Sequence, residues 1–258
     1  MAARIVSLVP SLTELLCSMG LRPQLVGRTG FCVHPRAELA DVPKVGGTKA
    51  VDIERIRALA PTHLVVSKEE NQAPVVAELA SFIPQIVVTD VISLADNIAL
   101  YRQIGDVFDR HAEATRLVAQ FEQARARLLS RQDLPLGVLY LIWKSPWMTV
   151  TRNTFISQML DAVGLQTVPA VDGVSDAARY PVLADEAFGD LAPQVVLLST
   201  EPYRFTARHA ADVGSLPDMG SVPCRLIDGE MTSWYGSRAI AGLNYLGEFR
   251  DALNQEHV

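Results

Sequence analysis

Three cysteines in 258 residues, Cys17, Cys32 and Cys224, cannot all pair with one another, so no disulfide framework is implied. Basic residues are in deficit. The 23 Lys and Arg stand against 29 Asp and Glu, a net charge of −6, and a nucleic-acid binder would instead show a basic stripe. No segment reaches the roughly 18 uninterrupted apolar residues that suggest a membrane span. The apolar stretch that enters Pro10 is also too short for the core of a signal peptide. As written, the chain reads as a cytoplasmic, non-spanning monomer, or as a periplasmic one if this start omits an export signal. Catalytic signatures are lacking too: there is no G-x-G-x-x-G after the first strand, no Walker loop, no G-x-S-x-G elbow, no H-E-x-x-H and no C-x-x-C. No catalytic residue can be named, and the expectation is a non-enzymatic protein.

What is present is a core. Hydrophobic residues make up 49% of the chain and charged ones 20%, which excludes disorder. Ile5–Val9, Leu25–Thr29, His63–Ser67 and Ile86–Asp90 read as short buried strands. Ser11–Met19, Asp52–Leu59 and Gln72–Ser81 carry apolar residues at helical spacing. This alternation predicts a mainly parallel sheet covered by helices. Ser11-Leu12-Thr13-Glu14 has the form of a capping box at the first helix start. From Ser93 to Ser130 the pattern changes to one unbroken helical periodicity, with Gly105 the only glycine. That predicts a single helix of about 37 residues, on the order of 55 Å long.

The second half repeats the first. Leu59-Ala60-Pro61 through Ser67 and Glu69 returns as Leu191-Ala192-Pro193 through Ser199 and Glu201, Thr13–Leu21 returns as Ser157–Leu165, and Ile86–Asp90 answers Cys224–Asp228. The fold class expected is therefore α/β: two Rossmann-like lobes with mainly parallel sheets, residues 1–92 and 131–258, joined by a long helix over 93–130.

Four loops stand out. They hold Phe31, Cys32 and His34 with Gly47 and Thr48; Trp143 and Trp147; Ser199–Phe205; and Trp234 with Tyr235. Most follow a strand at its carboxyl end, where open parallel sheets bind ligands. All three tryptophans of the chain map to this rim, and aromatic rings beside a few polar groups suit a large flat or conjugated ligand. Cys32 and His34 sit at i, i+2 and could chelate a soft ion, but two ligands do not make a site, so no resident metal is assigned. Glu69 and Glu201 occupy equivalent positions, a carboxylate pair suited to docking on a symmetric partner with Arg or Lys.

Arg4-Ile5-Val6-Ser7-Leu8-Val9-Pro10-Ser11-Leu12-Thr13-Glu14-Leu15, Val26-Gly27, Pro43-Lys44-Val45-Gly46-Gly47 and Leu59-Ala60-Pro61 resemble the helical-backbone metal receptors, the class III substrate-binding proteins of ABC importers. The cobalamin-binding branch is the nearest in pattern. The resemblance implies a corrinoid or related metal chelate held between the lobes, with no cofactor of the protein's own. Pro10, Ser11, Phe31, Cys32, His34, Gly47, Thr48, Trp143, Trp147, Trp234 and Tyr235 would line the site. Glu69, or its neighbour Glu70, and Glu201 would dock on an ABC permease dimer. Many haem-binding members carry an iron-ligating tyrosine shortly after the Val-Gly, where this chain has Gly47, which favours a corrinoid over haem. Haem or ferric-siderophore binding, a bare divalent-metal receptor, and a cytoplasmic enzyme or metallochaperone using Cys32 or His34 on a tetrapyrrole or metal stay open.

Overall fold

The computed structural model describes residues 2–48, 50–170 and 179–256. Lys49 and His257 lie outside them. The chain forms two compact units. One comprises Met1–Val91, Ala95–Gln120 and Tyr235–Arg238; the other comprises Ile92–Leu94, Phe121–Trp234 and Ala239–Val258.

The first unit is built on β1 (Ile5–Ser7), β2 (Leu25–Arg28), β3 (His63–Ser67) and β4 (Gln85–Thr89), all parallel in the order β2-β1-β3-β4. Helices α1 (Pro10–Ser18), α2 (Ile53–Ala58) and α3 (Ala73–Ala80) alternate with the strands. The strands read as apolar runs because the sheet is covered; Val6, Leu8, Leu64 and Val66 join Val45, Ile56, Leu79 and Ile83 in one core. The expected capping box is not formed. Val9 is the N-cap and makes no side-chain cap bond, and Pro10 takes the first helical turn. Proline fits there because its fixed φ suits the helix and its missing N–H would have been an orphan. Ser11 therefore lies inside the helix, and Glu14 is drawn to Arg238 through two bonds of 2.7 and 2.8 Å.

The second unit contains β5 (Leu136–Trp143), β6 (Trp147–Thr149), β7 (Leu165–Thr167), β8 (Val182–Leu183), β9 (Val195–Ser199) and β10 (Cys224–Ile227). Its parallel part runs β7-β5-β9-β10, the order of the first sheet, while β6 and β8 add antiparallel strands beside the outer half of β5. The repeat extends to register and backbone. Leu64 pairs with Ile86 as Val196 pairs with Cys224. Ala60 and Ala192 both turn left-handed at φ 44 and 42, and Gly20 and Gly164 do so at φ 73 and 71. α6 (Phe155–Asp161) and α7 (Ala187–Leu191) occupy the places of α1 and α2, and α8 (His209–Gly214), α9 (Gly229–Ser233) and α10 (Arg238–Glu256) follow.

The single long helix is a correction. The run is two helices, α4 (Leu94–Phe108) and α5 (His111–Leu129). Asp109 closes α4 at φ 54, and the Arg110 N–H reaches back to the Gly105 carbonyl at 2.8 Å. That is a Schellman ending with aspartate in the place glycine usually takes, which aspartate tolerates better than most residues. The compact units also divide this stretch, with α5 belonging to the first unit up to Gln120 and to the second from Phe121. Among the described residues, no helix is long and apolar enough to cross a membrane.

Candidate functional site

In the first unit the carboxyl ends of the strands carry a polar group of side chains. β3 ends at Ser67, whose hydroxyl accepts the Glu69 N–H at 3.2 Å. Asn71 fixes the same turn, accepting the Ser67 N–H at 2.9 Å and donating from Nδ2 to the Thr48 carbonyl at 3.0 Å. Tyr235 donates its hydroxyl to Glu70 Oε1 at 3.2 Å. Burial pushes the Tyr235 phenol well above its ordinary range, the nearby Glu70 and Glu69 carboxylates add to this, and contacts to Ser67 and Ser11 pull the other way. The Tyr235 side chain is therefore held as a neutral phenol. The segment that carries it is tied to α4. Gly236 N–H donates to Asn97 Oδ1 at 2.6 Å, and the Tyr101 hydroxyl donates to the Gly236 carbonyl at 2.8 Å.

Other sequence-derived candidates in this unit divide in two. Phe31, in the loop after β2, is 64% exposed, and a Cβ at Gly47 would stand 3.3 Å from its ring edge. The glycine leaves room for the aromatic beside it. Pro10, His34, Gly47 and Thr48 are half-buried. Cys32 departs from expectation. It is 0% exposed, its sulfur takes the Thr13 hydroxyl at 3.0 Å and meets Thr29 Oγ1 at 3.1 Å, and buried Arg28 holds its carbonyl at 3.0 Å. A thiol so enclosed is part of the interior, and it does not reach a ligand alongside His34.

The second unit repeats the turn. The Ser199 hydroxyl accepts the Glu201 N–H at 3.3 Å, and Trp234 Nε1 donates to Glu201 Oε2 at 2.9 Å. A Cβ at Gly229 would stand 2.6 Å from the Glu201 nitrogen, so only glycine lets α9 start this close to the turn. Trp143 ends β5 at 41% exposure, edge-on to Tyr203 at 5.6 Å. Trp147 is 8% exposed and stacks on Phe205 at 6.2 Å, within the core cluster of Phe188, Leu139 and Leu198. Expected as a ligand contact, it packs as core. Chain neighbours Trp234 and Tyr235 thus hold one carboxylate each, in their own units.

Ser67 and Asn71 were not singled out from the sequence, and Ser199 only as the first residue of a loop. The two serines were legible in principle, since they coincide in the repeat; Asn71 carried no signal. Among the described residues, no group of three or more His, Cys, Asp or Glu could hold a metal ion.

Parallel α/β units with exposed aromatics and polar turns at the carboxyl ends of their strands have the form of solute-binding domains. The chain belongs to the periplasmic binding protein family, which it matches over residues 5–214. It is 27% identical over 205 residues to the vitamin B12-binding protein of Pectobacterium carotovorum subsp. carotovorum strain PC1, covering 77% of this chain and 72% of that one. It is 25% identical over 258 residues to the uncharacterized ABC transporter substrate-binding lipoprotein YvrC of Bacillus subtilis strain 168, covering 95% and 79%. Its fold is that of a periplasmic heme-binding protein from Pseudomonas aeruginosa, with a TM-score of 0.81, 21% identity and coverage of 97% and 94%. This is a family of non-enzymatic binding proteins.

Proposed function

We propose that the protein is the substrate-binding component of an ABC importer and that its ligand is a corrinoid. One observation carries this: each unit presents an exposed aromatic ring, Phe31 or Trp143, at the carboxyl ends of its parallel strands. In open parallel sheets that edge receives ligands, and exposed aromatic surface at a rim favours an extended conjugated molecule. Pro10, Ser11, Gly47, Thr48, Trp234 and Tyr235 complete the contacts, with His34 at their margin. The name of the Pectobacterium relative supports vitamin B12 as the ligand class. Glu201 with Glu69 or Glu70 would dock on the basic residues of a permease dimer.

The protein then works outside the cytoplasmic membrane, a placement supported by the names of its family and of the Bacillus lipoprotein; the cytoplasmic reading of the sequence finds no support there. The enzyme or metallochaperone alternative, which relied on Cys32 or His34, loses the Cys32 thiol to the interior and keeps only half-buried His34. Absorbance titration with cyanocobalamin, cobinamide and haemin tests the proposal. Binding of a corrinoid below about 100 μM, roughly 5–6 kcal/mol, is the least a receptor should show. If no chelate binds by that concentration, the proposal fails.

A further inference from the structure

We propose that Tyr203, backed by His209, is a positioning residue that holds the exposed Trp143 ring ready for the ligand. The inference rests on Trp143 being a ligand contact, as in the corrinoid reading, and adds the residue that sets its geometry. All of these groups lie in the second unit. β9 pairs in parallel with β5, so the turn after β9 runs beside the end of β5, and the Tyr203 N–H donates to the Ile142 carbonyl at 3.3 Å. That bond sets Tyr203 next to Trp143, the last residue of β5, with the two rings edge-on at 5.6 Å and 70°. The ring quadrupole favours such a pairing. Among the described residues, Tyr203 is the only ring that meets Trp143, and the indole N–H donates to none of them.

Behind Tyr203 the rings continue into the core. Phe205 lies 4.7 Å from it, is 2% exposed, and stacks on Trp147 at 6.2 Å. His209 on α8 stands edge-on to both Tyr203 and Phe205, at 5.6 and 5.3 Å. Its Nδ1 accepts the Thr206 N–H at 2.9 Å, so the proton sits on Nε2, which faces the Tyr203 oxygen at 3.4 Å. Three residues on, along the same helix face, Asp212 accepts from Lys144 Nζ at 2.5 Å. Helix α8 thus secures both Tyr203 and the residue that follows Trp143. An indole at 41% exposure would otherwise move among rotamers, and a ligand covering it would have to immobilise it. Immobilising one such side chain costs about twofold to tenfold in affinity. Held by Tyr203 in the unliganded chain, the ring has already lost that freedom.

Absorbance titrations with cyanocobalamin test this in a cycle of wild type, Tyr203→Leu, Trp143→Ala and the double variant, with Tyr203→Phe alongside. Tyr203→Leu keeps apolar bulk without an aromatic ring and should weaken binding about fivefold. Tyr203→Phe, which keeps the ring, should stay within about twofold of wild type. In the Trp143→Ala background, Tyr203→Leu should change affinity by less than about twofold, because its effect passes through the indole. Circular dichroism and an unliganded thermal scan check folding, and Tyr203→Met takes the place of a leucine variant that does not fold. Full affinity in folded Tyr203→Leu overturns the brace and leaves the corrinoid reading intact. So does a fivefold loss that persists without Trp143, which makes Tyr203 act by another route. A Tyr203→Phe loss equal to that of Tyr203→Leu likewise overturns the brace, since it assigns the effect to the hydroxyl. If haemin binds and cyanocobalamin does not, the corrinoid reading falls and the same cycle with haemin decides the brace. If neither binds, both fall together.

Discussion

The Cys32 thiol lies at 0% exposure between the hydroxyls of Thr13 and Thr29, and burial raises its pKa while those hydroxyls and Arg28 pull it back. Thiolate is the reactive form, so Cys32 should resist iodoacetamide in the native protein and react only on unfolding. Half-buried Cys17 offers a contrast. Its pKa is pushed up to about 11, chiefly by burial. Its alkylation rate should therefore climb about tenfold per pH unit from about pH 8 to 10. Peptide mapping of labelled protein reads both, and a Cys17 rate that levels off near pH 9, or native labelling of Cys32, would contradict the placement. Cys32 also shows where residue-level reading stops. Its loop and its neighbours were legible; the direction of its side chain was not, because that depends on Thr13 from a helix elsewhere in the chain. Trp147 was misplaced for the same reason, its partners Phe188 and Phe205 lying far along the sequence.

Elements were legible wherever periodicity was strong. All four strands expected in the first half formed within a residue or two: covered strands such as β1 and β3 read as apolar runs, and edge strand β4 keeps its β-branched Ile-Val-Val run although Val88 is 41% exposed. The break in the long helix was hidden, since apolar spacing continues through Asp109 and neither proline nor glycine marks it. Gly105 is the residue that permits the break. A Cβ there would stand 2.8 Å from Ala114 Cβ and 3.2 Å from the Arg110 carbonyl. Gly105→Ala gains about 1 kcal/mol of helix propensity but meets an overpacking cost of about 1–3 kcal/mol. The clash is with a short, rigid side chain, so the net effect should be destabilising, read as a lower urea midpoint.

Helix α10 is held by a second device. Asp133 accepts from Arg131 Nε at 2.5 Å and from Asn254 Nδ2 at 2.8 Å, with Arg250 Nε at 3.8 Å. Hydrogen bonding to Arg131 holds the Asp133 carboxyl below the usual carboxylate range. Asp133→Ala should cost about 2 kcal/mol near neutral pH. A carboxyl depressed in the folded state stabilises above its unfolded pKa of about 3.9, and that stability disappears as pH falls through the folded value. The difference between Asp133→Ala and wild type should therefore narrow in urea titrations taken near pH 3. A constant difference would assign the loss to packing instead.

At the scale of the molecule, the repeat revealed two related halves, but not how the chain is shared between them. Tyr235–Arg238 belongs to the first unit although it lies near the carboxyl end, because compactness follows tertiary contact, which spacing does not encode. Consecutive residues, Trp234 and Tyr235, accordingly bond to carboxylates of different units, Glu201 and Glu70. A ligand that binds only the folded chain stabilises it by RT ln(1 + [L]/Kd), about 2.7 kcal/mol at a hundredfold excess over Kd. For a chain of this size, that shifts the thermal midpoint upward by roughly 5–10 °C. Trp143→Ala removes a ring that is 41% exposed, so the unliganded midpoint should barely move while cyanocobalamin affinity falls about tenfold. At the same ligand concentration the stabilisation then drops to about 1.4 kcal/mol. Trp147→Ala empties a core position and should lower the unliganded midpoint, costing about 3–5 kcal/mol. Thermal scans of both variants, with and without cyanocobalamin, separate the two tryptophans. A Trp143→Ala protein that keeps the full ligand-induced shift would remove the exposed indole from the binding surface, and with it half of the observation on which the corrinoid assignment stands.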